Sequence, residues 1–536
     1  MLASNLRPRF HHLFALFACA FFLLAGQVFL PLLGIEDDES LFASPLLAPR
    51  SWLYAIRIGH STFPLMVMSY IGTLKTLLYK AVFRIARPGV WSAREPMVLA
   101  GAASIWIFYV LLRRVAGPRA AVLGALLLAT DSCYLLTSVF DWGPVALQHL
   151  LLLGGGYFLV RFAQEPKSRT AHRALAGGFF LLGLAVWDKA LAVWMLSGMA
   201  LAAAAFYWRP IARLFTRRRA AIALLSFTVG AAPLLIFNFK THWSTFRGNV
   251  KRDTTPALAK APMLRNTING QGLFGYLTDE DWQTPHPRLP ESAPARASAA
   301  LAEITGHPRR TLMFYALLLA LALAPLADAG GRHAIAFCLV AGAIAWLQMA
   351  VTANAGASVH HTILLWPLPQ AIIAISFASA ATRLRRAAGP VCALVLAVLL
   401  ASNVLVANEY YVMMSRDGGS ESWSDAIFPL SSLLESAHPP AVFCADWGIQ
   451  DSLRLVSRGR LPTWDLTGGL TDPGILAGDG YLFVGRTANQ EIFRGNAARI
   501  VAAAQAAGYR REMVDTISDR FGRPTFEIYR FVPAQR

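Results

Sequence analysis

Charge is scarce in this chain. Only 15% of its 536 residues are Asp, Glu, Lys or Arg, against 55% hydrophobic, where a soluble domain carries about a quarter charged residues. That excludes an ordinary soluble protein and leaves a multi-pass membrane protein. Cysteine is almost absent. Cys19, Cys133, Cys338 and Cys392 lie in apolar runs, Cys444 stands in a polar region, and no CxxC spacing occurs, so neither a disulfide framework nor a zinc site is expected. Acids are outnumbered 31 to 49, for a net charge of +18. The basic residues fall in short clusters between apolar runs, which reads as orientation in a bilayer and not as nucleic-acid binding. No Asn-x-Ser/Thr sequon occurs, and with the Ala and Arg richness this fits a bacterial inner membrane better than the endoplasmic reticulum.

What is abundant is apolar sequence. The runs predict about eleven transmembrane helices, over residues 13–33, 96–112, 120–137, 143–160, 174–191, 190–208, 220–238, 311–328, 333–352, 362–381 and 389–407. The first follows Arg7, Arg9, His11 and His12 like a signal peptide, but it is too long for an h-region and ends without a small-residue cleavage site, so a retained helix is expected. No internal repeat is evident. With a cytoplasmic amino terminus, the groups Arg113/Arg114/Arg119, Arg161/Lys167/Arg169/Arg173, Arg209/Arg213/Arg217/Arg218/Arg219 and Arg383/Arg385/Arg386 all fall inside. The same parity places Glu36, Asp37, Asp38, Glu39, Asp141, Asp188, Lys189, His360, His361 and the loop 240–310 on the outer face.

The expected organisation is a transmembrane domain over residues 1–407, with outer loops 34–95 and 240–310, and a small α/β domain over 408–536 on the outer face. In the latter, residues 441–445, 481–484, 511–517 and 525–531 read as strands and 497–507 as an amphipathic helix. Residues 63–87 read as an interrupted amphipathic helix lying in the membrane interface, basic face toward headgroups or phosphates. The loop 240–310 exceeds ordinary connections and reads as a functional loop or lid.

The chemistry is acidic and sits at a membrane edge. Four acids, Glu36, Asp37, Asp38 and Glu39, follow the first apolar run directly. Carboxylates so placed can deprotonate a hydroxyl, hold a divalent metal or stabilise a cationic sugar carbon, or form a solvated turn, the expected state of Glu36 and Asp37. Asp141 lies in Phe140-Asp141-Trp142-Gly143-Pro144, as a second acid or as the cap of the next helix, with Trp142 offering a face on which sugars stack. Asp188 and Lys189 stand where two apolar helices meet. They either neutralise each other or leave Lys189 to bind a phosphate. His360 and His361 are interfacial residues or ligands for a pyrophosphate-like group or metal, and since adjacent histidines point differently only one of the two is expected to bind.

The acidic run, Tyr70-Ile71-Gly72-Thr73-Leu74-Lys75, Thr130-Asp131, Phe140-Asp141-Trp142-Gly143-Pro144, Trp187-Asp188-Lys189 and His360-His361 together resemble the multi-pass glycosyltransferases of family 39. These have the GT-C fold, and protein O-mannosyltransferases and lipid A aminoarabinose transferases are among them. The resemblance implies an inverting transfer, metal-independent or loosely metal-assisted, of a sugar from a polyprenyl-phosphate donor to a hydroxyl or amine acceptor. By carry-over, Asp38 is the general base, with Asp37 the alternative, Glu39 positions it, and Asp141 is the second-loop acid. Lys75, Lys189, His360 and His361 are candidates for gripping donor phosphate, and Tyr70 and Trp142 complete the substrate-binding set. No cofactor is implied, and a divalent metal is left open. The expected partners are the lipid-linked donor, membrane lipids and a glycan, lipid or protein acceptor. The alternatives are a transporter or flippase for lipid-linked sugars and a non-catalytic scaffold.

Overall fold

The computed structural model describes residues 8–48, 51–214, 216–280, 284–384 and 388–534; Arg7, Arg385 and Arg386 of the expected basic groups lie outside the described residues. All eleven apolar runs are helical over most of their length. Seven helices among the described residues are long and apolar enough to cross a membrane. One of these, Val90–Thr130, is two spans. Gly117 sits at φ 84, ψ 174 before Pro118, and a Cβ on Gly124 would lie 2.8 Å from Leu112 Cδ2. In a straight helix those two positions are about 18 Å apart, so the chain doubles back there. The expected span 120–137 is also broken, at Asp131. The backbone there is extended, and the Asp131 side chain caps Ser132–Val139 by accepting from the Tyr134 N–H at 2.9 Å.

Small residues set how closely the helices approach. Where Ala171–Asp188 crosses Arg217–Lys240, a Cβ on Gly183 would overlap the Phe227 carbonyl, and one on Gly230 would overlap that of Phe180. The backbones meet there with nothing between them.

Residues 63–87 are not one interfacial helix. A three-stranded antiparallel sheet, β1 (Tyr54–Ile58), β2 (Ser61–Met68) and β3 (Ile71–Gly72), takes their first third, and only Leu74–Val82 is helical. Pairing is the physical reason: Ser61–Met68 finds an antiparallel partner in Tyr54–Ile58, and Pro64, which has no N–H for the ladder, sits opposite Ala55 beside a register shift. The short helix turns Lys75, Thr76 and Tyr79 inward and leaves Leu77 and Lys80 exposed. The loop 240–310 is largely ordered, with helices Ser244–Asn249, Ala261–Ile268 and Ala293–Thr305; its residues 281–283 lie outside the described residues.

The carboxy-terminal part holds a five-stranded sheet, β4 (Val442–Cys444), β5 (Thr463–Asp465), β6 (Leu482–Arg486), β7 (Tyr509–Ser518) and β8 (Pro524–Pro533), in the order β5-β4-β6-β8-β7. β5, β4 and β6 are parallel; β8 and β7 join antiparallel. Alternation explains its two cores. Val442, Cys444, Val484, Phe526 and Ile528 pack with Leu430, Leu434 and Leu453, while Phe443, Phe483, Tyr529 and Phe531 pack with Ile500 and Ala504. Strands and a helix lie in each region where alternation or amphipathicity called for them. The helix Ile427–Ala437 lies outside those regions although Ile427, Leu430 and Leu434 recur at helical spacing and are buried; the three-residue β5 is too short to carry such a pattern.

This sheet is fastened to the exit of the first helix. The Gly34 N–H donates to Trp423 O at 2.9 Å, and in the β7–β8 turn Arg520 Nη2 donates to Leu32 O at 2.6 Å. Arg523 joins the same seam, pairing with Asp519 and with Asp279 of the 240–310 loop.

Gly183→Leu forces the two backbones apart and is expected to cost about 1–3 kcal/mol. It is read as a lowered unfolding midpoint of the detergent-solubilised protein; an unchanged midpoint would contradict the close crossing.

Candidate functional site

The four acids do four different things. Glu36 caps the helix Asp37–Ser40, its Oε2 accepting the Asp38 N–H at 2.8 Å, and it is 1% exposed. The solvated turn expected for it is therefore corrected: the carboxy-terminal part closes over this loop. Glu39 is buried and held in a fork by Arg94, Nε to Oε1 at 2.6 Å and Nη2 to Oε2 at 2.9 Å. Asp37 is half-buried and turned toward the sheet domain. Burial, then the carboxylates of Asp451, Asp38 and Asp465, push its pKa well up.

Asp38 makes no ion pair among the described residues. Burial raises its pKa, and the Lys189 and Lys75 ammonium groups oppose that rise. It is a carboxylate near cations but bound to none of them. Tyr70 lies beside it, half-buried, with its phenol pushed up to about 12 by burial and by the Asp38 charge.

Arg94 carried no signal strong enough to single it out from sequence. It stands two residues before the expected second span, where an Arg reads as an interfacial anchor. Fully buried, it also donates to the carbonyls of Leu30, Leu33 and Gly34 at 2.6, 3.3 and 2.5 Å, and its guanidinium lies 4.7 Å from the Phe140 ring centroid. It thereby joins the acidic loop to the loop that carries Asp141. The available clue was an ionisable residue at a membrane edge with acids across from it.

Asp141 is both cap and ion-pair partner. Its Oδ1 accepts the Ala146 N–H at 2.9 Å and its Oδ2 accepts Lys75 Nζ at 2.7 Å. Lys75 donates as well to the carbonyls of Asp141 and Gly143, each at 3.2 Å. Burial works against the Lys75 ammonium, but Asp141 outweighs it and the pKa stands above its ordinary value. Lys75 is thus charged and fully engaged.

Lys189 is the contrasting cation. It is 3% exposed, makes no ion pair among the described residues, and has its Nζ 3.0 Å from where a Cβ on Gly143 would sit. Gly143 has φ +81, so glycine supplies both the left-handed turn and the space for the ammonium. The Asp188 carboxylate oxygens are buried without hydrogen-bond partners among the described residues. Mutual neutralisation of Asp188 and Lys189, one of the two expectations, does not occur. Lys189 is anchored by its backbone, which bridges to Ile71 and accepts from Gln148 Nε2 at 3.0 Å.

The histidines adjoin this group through aromatic contacts. Trp142 lies 4.6 Å from the His360 ring, the two imidazoles are 4.0 Å apart, and both Nδ1 atoms contact Ser358 Oγ, at 2.9 and 3.2 Å. They sit side by side and share one hydroxyl, unlike the divergent pointing expected of adjacent histidines. Trp142 stacks on Tyr276 at 3.8 Å, which covers one of its faces. Tyr276 was missed by sequence reading because it comes from the long loop. Asp131 is saturated by Trp366, Gln370 and the Tyr134 N–H and is structural. Among the described residues, no group of three His, Cys, Asp or Glu side chains is placed to hold a metal ion.

The family profile described as dolichyl-phosphate-mannose-protein mannosyltransferase matches residues 74–237, the stretch holding Lys75, Asp141 and Lys189. Among curated proteins, none matches this sequence. Solved structures match over nearly the whole chain. ArnT from Cupriavidus metallidurans, bound to undecaprenyl phosphate, superposes with TM-score 0.57 at 14% identity, covering 98% of each chain. Its apo form gives 0.59 at 13%, covering 96% of this chain and 97% of that one. The oligosaccharyltransferase AglB from Archaeoglobus fulgidus, in complex with an inhibitory peptide and a dolichol-phosphate, gives 0.51 at 11%, covering 97% and 74%. At these identities the likeness is one of fold: the chain is an integral membrane protein with the GT-C fold of glycosyltransferases.

Arg94→Leu leaves Glu39 buried and uncompensated, and is expected to cost about 3–5 kcal/mol. The double variant with Glu39→Leu should be less destabilised than Arg94→Leu alone, as read by unfolding midpoints; an additive loss would mean that the pair is not coupled.

Proposed function

We propose that the protein transfers a sugar from a polyprenyl-phosphate donor to a hydroxyl or amine acceptor, by direct displacement at the outer face of the membrane. One observation carries this reading: beside the fully engaged Lys75–Asp141 pair stand one ammonium, Lys189, and two carboxylates that make no ion pair among the described residues, Asp188, which is wholly buried, and Asp38, which is half-buried and so open to an acceptor. An accessible base and a cation within electrostatic reach of each other suit a reaction that takes a proton at one end and releases a phosphate at the other.

In the mechanism, Asp38 accepts the proton of the acceptor as its oxygen or nitrogen attacks the anomeric carbon. The bond from that carbon to the phosphate oxygen breaks, and the leaving phosphate gains a negative charge that Lys189 neutralises. Its ammonium is already desolvated and in place, so no reorganisation is needed when the charge appears. Lys75 sets the field and fixes the Asp141 loop, Tyr70 and Trp142 bound the sugar, and His360 and His361 border the phosphate end. Glu39, through Arg94, holds the loop that presents Asp38. The binding of undecaprenyl phosphate by a protein of the same fold supports the donor class.

Residues 1–407 form the transmembrane domain in this reading and 408–536 the outer domain, with the last long helix, Ala388–Asp417, running into it. Basic clusters favour a cytoplasmic amino terminus and a periplasmic carboxy terminus in a bacterial inner membrane. A transporter is disfavoured because the ionisable residues gather at helix ends, and transport sites lie near the bilayer midplane.

Asp38→Asn is expected to lower transfer from a lipid-phosphate sugar by about 10²–10⁴-fold while undecaprenyl phosphate still binds. Near-normal transfer would remove Asp38 as the base. The reacting form of Asp38 is the carboxylate and its pKa is raised, so the rate should fall as pH drops through a midpoint above the ordinary value of about 3.9. A rate flat down to that value would contradict the assignment. Lys189→Gln should cost about 10²–10³-fold in turnover.

A further inference from the structure

Beside the acidic loop, three enclosed polar atoms have no hydrogen-bond partner among the described residues: Glu36 Oε1, Arg486 Nε and Gln490 Oε1. Their residues are 1%, 4% and 5% exposed. Glu36 comes from the exit of the first helix. Arg486 is the last residue of β6, and Gln490 lies four positions beyond it.

This is a specific place in the sheet. β6 pairs parallel with β4 on one side and antiparallel with β8 on the other, and open α/β sheets take ligands at the carboxyl ends of their parallel strands. That end faces the acidic loop. A Cβ on Gly448, which follows β4, would lie 3.5 Å from Arg486 Nη2 and 3.7 Å from Asp37 Cβ.

Between the two walls runs the linker 419–424. Arg486 Nη1 donates to Glu421 O at 2.5 Å, and Arg486 Nε is 3.6 Å from Asp446 Oδ2, an ion pair without a hydrogen bond. Asp279, Ser420, Glu421, Ser424, Gln490, Asp519 and Arg523 line a narrow crevice beside it, with no room for a water molecule, and Arg486 adjoins that crevice through Glu421. A seam with enclosed, unpartnered polar atoms is costly when shut. A ligand that entered it would satisfy them.

The lining selects the chemistry of that ligand. In the crevice Gln490 offers an acceptor, the serine hydroxyls offer both roles and Asp279 and Asp519 stand against Arg523; next to it Glu36 offers a further acceptor and Arg486 a donor. An uncharged ligand that donates and accepts from every carbon suits this wall, and apolar side chains would find no partner in it. We propose that the seam between the carboxyl end of β6 and the acidic loop is the acceptor subsite, and that it takes the hydroxyl-rich head group of a glycan. Entry parts the linker from β6, and Glu36, whose other carboxylate oxygen binds the Asp38 N–H, sets the head group beside Asp38. The proposal rests on the transferase reading above.

The test uses the full-length protein in lipid nanodiscs and follows tryptophan fluorescence, since Trp423 and Trp447 flank the seam. Maltose is the glycan probe and a capped serine tripeptide the peptide probe. Undecaprenyl phosphate binding is measured separately by thermal shift. Maltose should give a saturable response that Gln490→Leu and Arg486→Met each weaken by about tenfold or more, with undecaprenyl phosphate binding unchanged. If Arg486→Met does not fold, Gln490→Leu decides alone. No saturable response to maltose, or one equal in the variants, overturns the subsite, as does a response to the tripeptide in place of maltose. Failure of the unaltered protein to bind undecaprenyl phosphate overturns the transferase reading instead, and the subsite's role with it.

Discussion

One buried guanidinium underlies the arrangement of the site. Arg94 spends its donors on Glu39 and on three carbonyls at the exit of the first helix, and it stacks against Phe140. Those carbonyls have no helical partner because the helix ends there, and Glu39 would be prohibitively costly to bury unpaired. A single side chain therefore answers both problems and ties the first acidic loop to the second. Asp38 is set by what its neighbours are committed to.

The same logic divides the remaining charges. Lys75 and Asp141 neutralise each other, Glu39 belongs to Arg94, Asp131 is saturated by neutral donors, and Arg523 draws Asp279 and Asp519 together. In a medium where an unpaired charge costs several kcal/mol, structural charges come in partners. Asp38, Asp188 and Lys189 stand apart from that rule among the described residues, and a substrate that brings a proton to Asp38 and a phosphate to Lys189 would engage two of the three. The sheet domain belongs to the same economy of contacts, since its strand ends and its β7–β8 turn close over Glu36 and Leu32 and shield the acidic loop from bulk water.

Much of the fold was legible along the chain. Apolar runs of about 20 residues have only one way to satisfy their backbone in a bilayer, so each of the eleven became helical. Alternation in residues 511–517 and 525–531 marked β7 and β8 in the same way. What failed to read was local structure held by remote contacts. β2 displaced a helix around Pro64, β5 exists because β4 pairs with it, and the doubling back at Gly117 is a one-residue event inside a continuous apolar pattern.

For the site, composition and order determined by themselves that acids, cations and imidazoles gather at one set of helix ends, because charge is excluded from the lipid and must collect where the helices emerge. Which charge faces which was decided by tertiary structure alone. The roles of four consecutive acids depend on what folds against them: Arg94 on Glu39, the sheet domain on Glu36 and Asp37, and for Asp38 neighbours that form no ion pair with it among the described residues. Pairing is a property of distances between residues far apart in sequence, which no local pattern encodes.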